Sequence, residues 1–290
     1  MDASNAATLA CVSAIQIAQN LAFINWTVLT ALALGSYVTV VLLRRRTAAT
    51  RGYLGFTTVC AVGFGILAWL SDGALPATLG ESPVVVDPAF DGPRGAALGA
   101  FCILAVAGLV GRRIAPRAAR GIEWAALAAA AATLLFGALS WGGGLLGTVT
   151  LLMQLTVISA VTGGIFAAMI LGHWYLVTPK LPEAPLILLA RSLLAVVVLQ
   201  VALFWAWVAT GAGPAGGAPF AALVGPWALF VWLRLIIGLA FPLVVSWASV
   251  QTARSRSMES ATGLLYINVG SIAAGTILAA GLYFGAGLLV

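Results

Sequence analysis

Residues 149–176 read VTLLMQLTVISAVTGGIFAAMILGHWYL and contain no aspartate, glutamate, lysine or arginine. An α-helix rises about 1.5 Å per residue, so about 20 apolar residues cross the ~30 Å hydrocarbon core of a bilayer. This stretch is therefore long and apolar enough to be a transmembrane helix. Runs of the same kind recur along the rest of the chain.

The composition extends this interpretation to the whole chain. Of the 290 residues, 62% are hydrophobic and 8% are charged, whereas soluble domains carry about 25% charged residues. The sequence predicts one integral membrane domain, an all-α polytopic bundle of about eight transmembrane helices. The predicted spans lie near residues 21–43, 52–71, 94–111, 121–140, 149–176, 186–209, 226–250 and 261–286.

Basic residues predict the orientation of these spans. Arginine or lysine follows each odd-numbered span, and no connection after an even-numbered span is net basic. Cytoplasmic loops are enriched in lysine and arginine, so both termini are predicted to lie outside. The formal net charge of +6 then reflects topology and does not indicate a nucleic-acid partner. The basic residues concerned are Arg44, Arg45, Arg46, Arg51, Arg112, Arg113, Arg117, Arg120, Lys180, Arg254 and Arg256.

Two segments fall outside the predicted spans. Residues 1–20 carry Asn5, Gln16, Gln19 and Asn20 among apolar positions, which predicts a short interfacial helix before the first span. No basic residue precedes the first apolar stretch, so a cleavable signal peptide is not expected and the segment is predicted to be retained. Residues 72–93 form the longest loop and are predicted to be extracytoplasmic. The prolines of this loop and its run Val84–Val86 suggest an ordered lid or a contact for an extracytoplasmic partner, and a solvated connector is the alternative.

Small residues recur at a spacing of four in two of the spans. Such faces let the backbones of membrane helices approach closely, because lipid tails are as apolar as leucine and burial alone does not hold helices together. We therefore expect the fifth and eighth spans to pack inside the bundle or at a subunit contact. The residues are Ala160, Gly164, Ala168 and Gly172 in the fifth span, and Ser271, Gly275 and Ala279 in the eighth.

Arg234 is the charged residue expected inside the seventh span. Charge is costly in hydrocarbon, so its guanidinium needs an oxygen partner from a helix carbonyl, a lipid phosphate or a ligand. It could instead extend outward beside Trp227, or lie at a subunit contact. Pro242 lacks an amide hydrogen, so it is expected to kink this span and free the carbonyl of Gly238.

A second candidate ligand site lies where the fifth span ends. His173 is the single histidine of the chain, and Trp174, Tyr175 and Arg191 are expected at the same cytoplasmic level. Tryptophan and tyrosine there are also typical of an ordinary aromatic belt. The functional alternative is that His173 hydrogen-bonds a quinone carbonyl and exchanges protons with the cytoplasm.

Several chemistries are disfavoured by the residues present. The acidic residues all fall in loops or at helix ends, so no carboxylate is expected at depth to couple ions to transport. A single histidine cannot supply bis-histidine haem ligation, and no Cys/His spacing suggests a metal site. Cys60 and Cys102 lie within spans, where cysteine behaves as a small hydrophobe.

Three functions remain open. The first is an integral membrane subunit or anchor of a respiratory electron-transfer complex in a bacterial cytoplasmic membrane, without catalysis of its own. It would hold no intrinsic cofactor but would bind quinone or lipid and dock other protein subunits. The second is a transporter or channel for a small anionic or neutral solute, with Arg234 as the anchor. The third is a lipid-modifying enzyme that uses His173.

Overall fold

Eight long apolar helices carry the fold in the computed structural model, which describes residues 20–79, 82–178 and 181–290. Each is long and apolar enough to cross a membrane, which confirms the predicted all-α polytopic fold. No strand occurs within these described ranges. The helices are α1 (Leu21–Arg46), α2 (Arg51–Asp72), α3 (Asp91–Ile114), α4 (Pro116–Trp141), α5 (Leu145–Val177), α6 (Ala184–Thr210), α7 (Ala228–Arg254) and α8 (Met258–Ala286).

Most helices extend a few residues beyond the predicted spans. The largest difference is at α4, which begins at Pro116 and not near residue 121. Proline is favoured in the first turn of a helix, because its missing amide hydrogen would have no partner there in any case. The predicted interfacial helix at residues 1–20 lies outside the described residues, apart from Asn20.

Helix α5 is the longest, with 33 residues, and it packs against α1 near the centre of the bundle. Gly35 and Gly163 bring the two backbones together, since a Cβ on Gly163 would overlap the backbone nitrogen of Ser36. The Ser36 hydroxyl also donates a hydrogen bond to the Gly163 carbonyl at 3.2 Å. This crossing uses small residues in the way that membrane helices do when they pack closely.

The small-residue faces take different positions in the bundle. On α5, Ala168 and Gly172 are buried, while Ala160 and Gly164 are half-buried. The close contact with α1 is made by Gly163, on the neighbouring side of the helix. On α8, the Ser271 hydroxyl donates to the Ile237 carbonyl, Gly275 lies against Gly238, and Ala279 packs with Ala31 and Ile158.

The two ends of the bundle differ in charge. The connections α1–α2, α3–α4 and α7–α8 lie at one end, which we call the basic end because it holds Arg44, Arg112 and Arg254. The start of α1 and the end of α8 both lie at the opposite end, where the Phe23 and Phe284 rings are 5.2 Å apart. That arrangement fits an even number of crossings. Which end faces the cytoplasm remains a prediction from the charges.

Candidate functional site

A buried carboxylate organises the basic end. Glu123 is only 2% exposed, and its Oε1 accepts a hydrogen bond from Arg44 and lies 2.5 Å from Nη2 of Arg112. Nη2 of Arg45 lies 3.6 Å from the other carboxylate oxygen. A buried charge is tolerated when several opposite charges and hydrogen bonds compensate it. One acid therefore holds three arginines from α1 and α3 in fixed positions.

Glu123 departs from the expectation that every acidic residue lies in a loop or at a helix end. Because α4 begins at Pro116, Glu123 lies about two turns inside the helix. Its side chain points into the bundle, towards the ends of α1 and α3.

Beside this cluster lies a cavity of about 850 Å³ with four arginines in its wall, Arg44, Arg51, Arg112 and Arg113. A second cavity of about 430 Å³ adjoins it, and both are lined by Arg51, Gly55, Leu109 and Arg113. We call the two together the arginine cleft. It lies between the start of α2 and the end of α3, so it opens at the basic end.

The four arginines fall into two pairs with different partners. Arg44 and Arg112 are bound to Glu123. Arg51 and Arg113 are both exposed, and within the described ranges neither has an acidic partner. The first turn of α2 adds positive partial charge from its unpaired amide groups, although the Thr50 side chain caps Tyr53. The cleft therefore has a surplus of positive charge and free hydrogen-bond donors.

The residues proposed around His173 point in different directions. His173 is exposed, and its Nδ1 lies 3.3 Å from the hydroxyl of Tyr266. Tyr175 is buried and donates a hydrogen bond to the Pro182 carbonyl. Arg191 is exposed on α6. The structure does not gather these side chains into one cavity, so a ligand there stays a prediction.

Trp174 is the member of that group that reaches the arginine cleft. Its indole covers Gly52, where a Cβ would lie 2.9 Å from Cζ2, and its ring centroid is 6.5 Å from that of Phe56. Gly52 and Phe56 both line the smaller cavity of the cleft. Trp174 thus supports one wall of a site that differs from the one for which it was proposed.

Arg234 is buried between α7 and α8 and is 2% exposed. Its Nη1 donates to the Gly238 carbonyl at 3.2 Å, which is the carbonyl expected to be freed by Pro242. Here α7 contains a π-helical segment, Ile236–Ala240, in which i→i+5 hydrogen bonds replace the usual α-helical ones. The Nε atom of Arg234 is buried and has no hydrogen-bond partner among the described residues. A helix carbonyl therefore supplies one of the oxygen partners that this guanidinium needs.

A second charged cluster lies at the opposite end and was not anticipated. Arg94 is 2% exposed, with Nε 2.6 Å from Asp72 and Nη1 2.8 Å from Asp91. Its guanidinium also lies 4.7 Å from the ring centroid of Trp141 and 3.0 Å from the Ser140 hydroxyl. Ser140 in turn holds the loop before α3, because its carbonyl accepts a hydrogen bond from the Asp87 amide at 2.8 Å.

The Arg94 cluster ties the long loop to the bundle and borders a cavity of about 240 Å³. Nε and Nη1 of its guanidinium donate to two carboxylates and a hydroxyl. These contacts hold this part of the loop against the bundle, and its role as a lid, a partner contact or a connector stays a prediction.

No family model, curated protein or solved structure matches this chain. Within the described residues, no group of three or more histidine, cysteine, aspartate or glutamate side chains could hold a metal ion. The function is therefore inferred from the geometry of the arginine cleft.

Proposed function

We propose that this integral membrane protein binds a phosphate-bearing anion in the arginine cleft. The observation that carries the proposal is the pair Arg51 and Arg113, two guanidiniums without acidic partners in the described ranges, on the wall of a cavity of about 850 Å³. Binding, and not catalysis, is the role that these residues support. This agrees with the lipid-binding part of the first hypothesis from the sequence.

Phosphate suits the cleft better than a neutral ligand does. A guanidinium presents a planar set of donors that can bind two phosphate oxygens at once. Arg44 and Arg112 line the same cavity, and Glu123 holds them without neutralising the whole group. The amide groups of the first turn of α2 favour an anion as well. The arrangement therefore combines two free guanidiniums, two fixed ones and a helix N-terminus.

The other hypotheses receive less support from the geometry. His173, proposed for quinone binding or lipid chemistry, lines neither the arginine cleft nor the cavity beside Arg94. Arg234, proposed as the anchor for a transported solute, is also absent from the walls of those cavities. Electron transfer and the docking of other subunits stay predictions from the sequence.

Titration of the purified protein with glycerol phosphate tests the proposal. We expect the double variant Arg51→Gln/Arg113→Gln to bind at least about tenfold more weakly, since each lost charge-assisted hydrogen bond contributes about 1.5–3 kcal/mol. The affinity of the unchanged protein should fall with added salt. Isothermal calorimetry in a neutral detergent measures both effects.

The matched control is Arg117→Gln/Arg120→Gln, which removes the same charge from exposed positions at the basic end. We expect this control to keep most of the affinity, because neither residue lines the cleft. Equal weakening in the two double variants would show a general charge effect and would contradict a specific site.

A further inference from the structure

We propose that the anion in the arginine cleft is the headgroup of a membrane phospholipid that enters sideways between α2 and α3. This inference rests on the proposed function and adds the class of ligand. The phosphate would bind Arg51 and Arg113, and one acyl chain would follow the groove between the two helices. The residues that carry the inference are those of the smaller, 430 Å³ cavity.

The groove exists because α2 and α3 touch at one end and separate at the other. Towards the opposite end, Gly65 lies against Phe101 and Cys102, and Gly99 lies against the indole of Trp69. Towards the basic end, a Cβ on Gly55 would meet no atom within 4 Å. Gly55 on α2 and Leu109 on α3 both line the cleft, so the two helices leave an open slot between them towards the basic end.

The wall of this slot changes from charged to apolar along its length. Arg51 and Arg113 stand at the basic end, as the first residue of α2 and a residue in the last turn of α3. Phe56, Val59 and Val110 continue the same wall towards the middle of the membrane. A ligand that fills the whole slot must match this order, with an anionic group at one end and hydrocarbon at the other.

The apolar part of the slot is open to the surroundings of the bundle. Phe56, Val59 and Val110 are 52%, 56% and 50% exposed, so they face lipid when the helices cross a bilayer. A water-soluble phosphate would use the arginines alone and would leave these side chains uncovered. A phospholipid satisfies both parts, because its phosphate lies at the level where helices end and its chains lie beside them.

Gly55 controls whether a chain fits in the slot. It lines both cavities of the cleft, and the space beside it is empty. The variant Gly55→Leu should therefore fill the slot with its own side chain while leaving the guanidiniums in place. Gly63, two turns later on α2, is exposed and lines neither cavity, and a Cβ added there would also meet no atom within 4 Å. Gly63→Leu is the matched control.

The test compares three ligands on protein in neutral detergent micelles: phosphatidylglycerol, phosphatidylcholine and glycerol phosphate. We expect the unchanged protein to retain phosphatidylglycerol at least about tenfold more tightly than phosphatidylcholine, as net negative charge favours arginine-rich sites. Gly55→Leu and Val110→Trp should both lose that retention, and Val110→Trp, which lines the smaller cavity alone, should still bind glycerol phosphate. Gly63→Leu should behave as the unchanged protein does. Native mass spectrometry reports the bound lipid, and calorimetry reports the soluble probe.

Each outcome separates this inference from the proposed function. Undiminished phosphatidylglycerol binding by Gly55→Leu would overturn the lipid inference and leave anion binding intact. Loss of both ligands by a folded Val110→Trp protein would also overturn it, because the soluble anion does not need the groove. If the circular dichroism of Val110→Trp shows loss of helix, Val59→Trp fills the same slot from α2 and is judged by the same results. Glycerol phosphate binding that survives in Arg51→Gln/Arg113→Gln would overturn the proposed function itself.

Discussion

Glu123 shows how a single residue can determine the chemistry at one end of a membrane protein. Its carboxylate is 3% exposed, whereas the side chains of Arg44 and Arg112 are 16% and 33% exposed. The acid is therefore buried and the arginines reach the surface. Without the carboxylate, three guanidiniums would repel one another at close range.

We expect Glu123→Gln to lower the free energy of unfolding by roughly 2 kcal/mol, below the 3–5 kcal/mol for breaking a buried ion pair, because the arginines are partly exposed. Unfolding in mixed micelles, followed by circular dichroism, measures this change. Glu259→Gln is the control, since Glu259 is exposed in the first turn of α8. Equal stability of the two variants would show that the cluster does not hold α1, α3 and α4 together.

Some residue-level expectations follow from the chemistry of a single residue. The carbonyl freed by Pro242 follows from the missing amide hydrogen of proline, and the Gly238 carbonyl does accept a hydrogen bond from Arg234. The ion pairs of Arg94 with Asp72 and Asp91 could not be found in this way. Two of these residues lie 22 positions apart, and they meet only because α2 and α3 are neighbours.

At the scale of helices, the close crossing of α1 and α5 requires glycine at only one of two adjacent glycine positions. Gly163 lies against the backbone of Gly35 and Ser36, while a Cβ on Gly164 would be 3.9 Å from the Thr39 hydroxyl. The sequence pattern selected Gly164, because small residues every four positions pass through it. The crossing itself uses Gly163, which no spacing rule distinguishes from its neighbour.

We expect Gly163→Ala to cost about 1–3 kcal/mol, because the added methyl group must push two helix backbones apart. Gly164→Ala should be neutral or slightly stabilising, since alanine favours helix over glycine by about 1 kcal/mol. Thermal unfolding of both variants in the same detergent tests the difference. A larger loss of stability in Gly164→Ala would contradict the observed orientation of α5.

Helix positions were easier to predict than helix neighbours. A span is a local property, as it requires about 20 apolar residues in a row. All eight spans were therefore found, and they agree with the helices of the described chain. The start of α4 was missed because Pro116, Arg117 and Arg120 are polar or helix-breaking residues that still belong to the helix.

At the scale of the whole molecule, the arginine-rich connections lie at one end of the bundle, and the start of α1 and the end of α8 lie at the other. This arrangement predicts the orientation in the membrane. Single cysteines can test it in a variant without the native cysteines. We expect a membrane-impermeant maleimide to label Ala218→Cys in intact cells and to leave Ser255→Cys unlabelled, because the basic end should face the cytoplasm. Ala218 and Ser255 are both exposed, in connections at the two ends. The reverse labelling pattern would contradict the predicted topology.

The arginine cleft is a property of the assembled bundle and could not be read from the sequence. The arginines were identified as signals of orientation, which explains their presence in those connections. The cleft itself depends on how α2, α3 and α4 pack. This packing brings Arg51 and Arg113 to one cavity and lets Glu123 hold Arg44 and Arg112.

The length of α5 determines which lipid environment suits the protein. Its 33 residues extend about 50 Å, well beyond the ~30 Å of an average hydrocarbon layer. The helix must therefore tilt, or its ends must stand among the headgroups, and Leu145 and Leu146 at one end are 84% and 79% exposed. In a thin bilayer these leucines would enter water, and each ångström of hydrophobic mismatch costs a fraction of a kcal/mol. We therefore expect the protein to be more stable in thick bilayers than in thin ones.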